Sequence, residues 1–122
     1  MDSIYKEIIL EYYKNPKNYG RIKKPTSSAF LANPLCGDKI RIDVILKKGK
    51  VREIKFSGDG CAISQASASL LTEYSKQKKA TILKKIGPKK VLQMLGIKIG
   101  PARLKCALLP LEVFKKAISK TP

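Results

Sequence analysis

The hydrophobic positions of this chain follow two periods, and their order along the sequence sets the expected fold. Between residues 39 and 46 the period is two: Ile40, Ile42, Val44 and Leu46 alternate with Lys39, Arg41, Asp43 and Ile45, as a strand with one packed face requires. "KKGK" at 47–50 supplies a glycine turn and "VREIKF" at 51–56 returns, so the two runs predict an antiparallel hairpin. A shorter run at 29–32, closed by "NP", offers a further strand. Elsewhere the period is helical. Ile4, Ile8 and Tyr12, and then Tyr5 and Ile9, share faces over 4–14, with Ser3 placed to cap that helix and "NP" at 15–16 to stop it. Residues 15–28, rich in Asn, Pro, Gly and Ser, read as an irregular connection. Helices are expected at 61–77, about 80–86, 88–95 and, in one or two pieces, 102–119. The order helix, antiparallel strands, helices is an α+β arrangement, a small antiparallel sheet packed against helices. No internal repeat or long linker divides the sequence, so 1–122 is expected to be a single domain.

Composition narrows the classes. Hydrophobic residues make up 43% and charged residues 29% of the 122, a globular balance in which a core forms without disulfides or metal. No apolar run approaches the ~18 residues of a membrane span, and the N-terminal stretch lacks a signal-peptide pattern, so a cytoplasmic protein with no membrane partner is expected. The net charge is +17, which admits nucleic acid or acidic partners. Yet 22 of the 26 basic residues are lysine, spread along the chain, and only Arg21, Arg41, Arg52 and Arg103 are arginine. Arginine reads bases and phosphates bidentately, whereas lysine acts as a solvated point charge. The charge therefore reads first as a solvated surface. Nucleic-acid binding is kept as a rival reading, one that requires steep salt dependence.

The three cysteines carry the chemistry. Cys36 lies in "NPLCGDKI", Cys61 in "GDGCAIS" and Cys106 in "PARLKCALLP", each expected at a junction between elements. An antiparallel hairpin sets the start of one strand beside the end of the other, so the loops holding Cys36 and Cys61 should meet at one end of the sheet. Cys61 opens a helix, where unpaired amides and the helix dipole favour a thiolate. Ser64, Ala66, Ser67, Ala68 and Ser69 keep that helix slim enough for close neighbours. An odd cysteine count without a CxxC pair excludes a secreted disulfide framework and a thioredoxin-like motif. Zinc and iron–sulfur clusters prefer four protein ligands and the chain has no histidine, which leaves Asp38 as the natural fourth. A carboxylate holds soft iron less firmly than a thiolate does. A small structural zinc domain is the alternative, and it would unfold on chelation.

Taken together, "YKEIILEYYKNPKNYG", "NPLCGDKIRIDVIL", "IKFSGDGCAISQASASLL" and "RLKCALLPLEVFKKAI" resemble the iron–sulfur cluster assembly scaffold family: the IscU, SufU and NifU N-terminal-domain proteins. The resemblance covers nearly the whole chain. It implies a three-stranded sheet packed by helices, with Cys36, Asp38, Cys61 and Cys106 matching the ligands of a transient cluster, [2Fe–2S] by type, or of Zn2+. It implies a scaffold or sulfur acceptor rather than an enzyme in its own right. A pyridoxal-phosphate cysteine desulfurase would donate the sulfur and apo iron–sulfur proteins would accept the product. Resemblance to IscU points to Cys106 as the persulfide acceptor; resemblance to SufU points to Cys36. The same fork separates a true scaffold from a zinc-dependent sulfurtransferase partner.

Two departures qualify the match. Lys105 stands where IscU has histidine, as in the "RxKCA" of SufU, yet the long SufU insertion between the second and third cysteines is missing. Lysine is a poor replacement ligand, because its ammonium must first lose a proton. Lys105 is therefore expected to stabilise a thiolate or to pair with Asp38. "GIKIGPARLKC" does not reproduce the proline-rich chaperone-docking stretch of IscU, which speaks against a dedicated heat-shock chaperone partner.

Overall fold

The computed structural model describes residues 2–34 and 37–119. Helix α1 (Asp2–Lys14) leads through an irregular connection to strands β1 (Ser27–Asn33), β2 (Asp38–Lys47) and β3 (Lys50–Asp59); α2 (Ala62–Ser75), α3 (Ala80–Leu83), α4 (Pro88–Leu95) and α5 (Pro101–Ser119) follow. The three strands form one antiparallel sheet in the order β1-β2-β3. This is the expected α+β architecture.

The hairpin forms where the period-two pattern places it. Lys48 and Gly49 bridge β2 and β3 with φ 55° and 77°, the paired positive values of a type I′ turn, whose twist suits the strands it joins. Ile40, Ile42 and Val44 of β2 and Val51, Ile54 and Phe56 of β3 are buried and meet α2 and α5 across one face of the sheet. Gly58 must be glycine: it faces Ile40 across the ladder with φ 125°, and a Cβ there would run into the Lys39 carbonyl. The outer edge of β3 is covered at two points. Val51 N–H donates to Lys78 O and Gln77 N–H to Val51 O, at 3.0 and 2.9 Å. Phe56 N–H donates to Asn18 O and Gly20 N–H to Phe56 O, at 2.9 and 2.8 Å. An edge covered in this way does not recruit foreign strands.

Four local expectations are corrected. Asp43, assigned by alternation to the polar face, is 1% exposed, because the connection ahead of β1 brings Arg21 and Ile22 over that face and Ser28 of β1 lies opposite it in the ladder. Ser28 Oγ, Arg41 Nε, Arg21 Nε and Ile22 N–H all donate to its carboxylate at 2.6–3.1 Å. A register irregularity between Ile45 and Leu46 pairs Leu46 with Val51 and leaves it only partly buried. Helix α1 already includes Ser3, so that residue does not precede it; Ile9 is buried and Tyr12 half-buried, while Ile4, Ile8 and Tyr13 face solvent. The 80–86 run is α-helical only to Leu83, because the Lys85 and Ile86 amides bond to carbonyls three residues back, ahead of Gly87-Pro88.

Candidate metal centre

Hairpin register builds one end of the sheet into a site. Lys39 pairs with Asp59, so Asp38, the first residue of β2, lies beside the segment that leaves β3 for α2. Cys61 is the residue immediately before α2, extended at φ −74° and ψ 172°, and its side chain does not cap the helix. Its N–H donates to Asp38 Oδ1 at 3.1 Å, and Ser64 Oγ, one turn into α2, donates to Cys61 O at 3.0 Å. Gly60 is dictated by space: a Cβ there would collide with Ser64 Oγ and come to 3.2 Å from Asp38 Oδ1.

The third ligand atom, the Cys106 sulfur, arrives from α5. Ala66, Ser67 and Ala68 of α2 are fully or almost fully buried, and their small side chains let α5 approach closely. Ser67 Oγ donates to Ala107 O at 2.7 Å, next to Cys106. Cys106 therefore lies inside the expected last helix, in its second turn, and past the junction that opens it. Four residues further on, Pro110 has no N–H to offer the Cys106 carbonyl.

Asp38, Cys61 and Cys106 offer one carboxylate oxygen and two sulfurs, all within 4.8 Å of one another. Asp38 and Cys106 are buried, at 2% and 5% exposure, and Cys61 is half-buried. Two sulfurs and one carboxylate, contributed by a strand, a helix cap and a helix interior, suit a borderline or soft cation such as zinc or iron. Cys36 lies outside the described residues. Its neighbour Gly37 takes φ 74°, and the Gly37 N–H donates to Asn33 O at 2.8 Å, so the loop closes at this same end of the sheet. Lys105 is exposed and lines a groove with Ala32, Asn33, Pro34, Leu109 and Glu112.

Sequence reasoning named the ligand candidates but missed their supports. Ser64 and Ser67 were legible only as small residues, not as donors to the carbonyls of Cys61 and Ala107. The spacing of three from Cys61 to Ser64 and from Ser64 to Ser67 puts both serines on one side of α2, and that spacing was the available signal.

The comparisons fit this geometry. A relative named zinc-dependent sulfurtransferase SufU, from Bacillus subtilis, is 34% identical over an alignment of 139 positions that covers 98% of this chain and 92% of the relative. The iron–sulfur cluster assembly scaffold protein IscU of Thermotoga maritima is 33% identical over 133 positions, covering 96% and 94%. Among solved structures, FiSufU, a SUF-system protein from Fervidobacterium islandicum, superposes with a TM-score of 0.81 at 26% identity, covering 92% of this chain and 94% of that one. Residues 4–122 match the sequence profile of the NifU-like N-terminal domain, and the chain belongs to that family.

Proposed function

We propose that this protein accepts sulfur from a cysteine desulfurase and assembles or relays an iron–sulfur cluster, its cargo, on Cys36, Asp38, Cys61 and Cys106. The observation that carries the reading is the convergence of Asp38, Cys61 and Cys106 within 4.8 Å, from positions up to 68 residues apart in sequence. In the sulfur-accepting step a thiolate of this chain attacks the outer sulfur of the donor persulfide. The donor S–S bond breaks, the donor cysteine leaves as a thiolate, and a persulfide forms here with no net oxidation. Cys36 and Cys106 are the two candidate acceptors. Burial of Cys106 at 5% exposure requires local opening before a donor can reach it. Asp38, a harder ligand than sulfur, makes the site one from which cargo can leave for apo acceptor proteins. We place this chemistry in the cytoplasm.

A second reading is favoured by the relative named a zinc-dependent sulfurtransferase. In it the same residues hold Zn2+, which keeps the thiolates deprotonated, and the protein passes sulfur on without building a cluster. Metal and acid-labile sulfide analysis of anaerobically purified protein separates the two. Iron with equimolar sulfide is expected for the scaffold; about one zinc without sulfide, persisting after reconstitution with iron and sulfide, selects the sulfurtransferase. Undiminished sulfur transfer to both Cys36→Ser and Cys106→Ser variants would sink either version.

A further inference from the structure

The "KNYG" segment at 17–20, read from sequence as plain connection, grips the loop that carries Cys61. Tyr19 sits between two residues with positive φ, Asn18 at 60° and Gly20 at 140°, and both neighbours are tied down. Asn18 O accepts the Phe56 amide and Gly20 N–H donates to Phe56 O. The Asn18 side-chain amide donates to Thr72 Oγ1 at 3.0 Å and to Glu73 Oε1 at 3.2 Å, and Lys17 N–H donates to Ser69 Oγ at 3.2 Å. With its backbone fixed to β3 and α2, Tyr19 packs its ring edge-on against Phe56, 5.3 Å between centroids and 86° between planes. Its hydroxyl then donates to Gly58 O at 2.9 Å and accepts from Gly58 N–H at 3.3 Å. One phenol thus satisfies both backbone groups of Gly58, as a neighbouring strand would.

We infer that Tyr19 is a positioning residue for the metal centre: by clamping Gly58 it fixes the Asp59-Gly60-Cys61 segment and so sets how long the centre keeps its cargo. Tyr19 holds Gly58 at the start of the segment and Asp38 Oδ1 holds the Cys61 amide at its end, beside the pairing of Asp59 with Lys39 and the Ser64 Oγ bond to Cys61 O. Asp38 also belongs to the trio that could hold a metal, so a bound cation draws electron density from the carboxylate that accepts the Cys61 amide and weakens that bond, and the Tyr19 clamp then carries more of the task of holding Cys61 in place. Tyr19 is 46% exposed, which leaves the clamp reachable from solvent. The inference rests on the proposed role of the centre.

Tyr19→Phe tests it, because the ring contact with Phe56 stays and only the hydroxyl goes. Two readouts are needed, one with metal and one without. In the Co2+-loaded protein, the thiolate-to-cobalt absorption band should shift or weaken, and release to excess chelator should quicken by roughly tenfold. In the apo protein, exchange at the Gly58 to Cys61 amides should rise about fivefold or more, the scale of one lost hydrogen bond, while the Ile42 and Val44 amides stay unchanged. A lower melting temperature with unchanged exchange at 58–61 would make Tyr19 mere packing and overturn the inference. So would faster exchange with an unaltered cobalt band and release rate. Should wild-type protein bind Co2+ without thiolate absorption, the metal centre itself fails. Alkylation of Cys61 in the apo protein then decides: an equal rate in wild type and Tyr19→Phe overturns the clamp.

Discussion

At the scale of single residues, the centre depends on contacts that leave no slack. Gly60 separates Ser64 Oγ from Asp38 Oδ1, so Gly60→Ala must push one of them aside. The expected cost is about 1–3 kcal/mol, as for other overpacked sites, together with weaker metal binding. Ser64→Ala in the same chain should recover part of the loss, because the atom struck is the serine hydroxyl. Urea unfolding of the two single variants and the double variant measures that coupling, and strict additivity would show that the two positions do not meet. Asp38→Asn separates two roles of one side chain. Asparagine still accepts the Cys61 amide but brings no charge to the cation, so zinc affinity should fall by at least about tenfold with little change in melting temperature. Competition against a chromogenic chelator checks this. At this scale the sequence was most informative where chemistry restricts residue type: Asp38, Cys61 and Cys106 were all named from motif and junction. Gly58 and Gly60 are visible in "GDGCAIS", but their steric reason needs the Lys39 carbonyl, which strand pairing brings near Gly58, and the Ser64 hydroxyl, which the first turn of α2 turns back onto Gly60.

At the scale of elements, alternation predicted β2 correctly and misjudged one of its faces. A period of two records which residues share a face, not what later covers it. Arg21 and the Ile22 amide ahead of β1, with Ser28 of β1, cover the outer face of β2 at Asp43, while Arg41 reaches over from within the strand. Burial, the largest single influence on Asp43, pushes its pKa up, but the hydrogen bonds from Ser28, Ile22, Arg21 and Arg41 together outweigh it and hold the carboxyl below its ordinary value. A depressed native pKa adds stability that is complete above the unfolded value, about 3.9, and is lost as pH falls through the native one. Asp43→Asn should therefore destabilise the fold by about 1.5–3 kcal/mol at pH 7, as expected for lost charged hydrogen bonds. The gap from wild type should narrow below about pH 4. Denaturant midpoints at pH 7 and pH 3 test the sign, and a gap that widens in acid would refute the account. The same limit explains α1. Its period was right, but Ile4 and Ile8 lie at 62% and 39% exposure, because α2 covers only the stripe through Ile9 and Tyr12. The 102–119 run, expected in one or two pieces, is one 19-residue helix that carries Pro110 inside it.

At the scale of the whole molecule, the charge that looked evenly spread along the sequence is unevenly balanced. Residues 74–122 carry 13 lysines and arginines against one carboxylate, Glu112, whereas residues 1–73 carry 13 against eight. Fold geometry turns this into a direction. Cys61 stands before the first residue of α2, and that helix spans about 21 Å before Lys76, Lys78 and Lys79 follow its far end. Lys48, in the hairpin turn, and Lys50 join them there through the pairing of Lys50 with Lys79. The thiol end carries Asp38 and Asp59 among its cations, while at the far end the lysines outnumber Glu73, which is ion-paired with Lys76. A field of this kind speeds encounter with an acidic partner surface more than it strengthens the final contact. If a cysteine desulfurase is the sulfur donor and meets this field, the second-order rate of sulfur transfer should fall by about tenfold or more between low and physiological salt. The single-turnover rate within the complex should hold steady. Charge reversal at Lys84, Lys85, Lys89 and Lys90, all exposed or half-exposed and remote from the thiols, should lower the second-order rate in the same way and leave metal content untouched. Stopped-flow measurement of sulfur transfer over a salt series decides the matter. A rate indifferent to salt would leave the lysines as solvated surface. Tight, salt-sensitive binding of duplex DNA by the same protein, lost on charge reversal, would instead mean that the basic end serves nucleic acid.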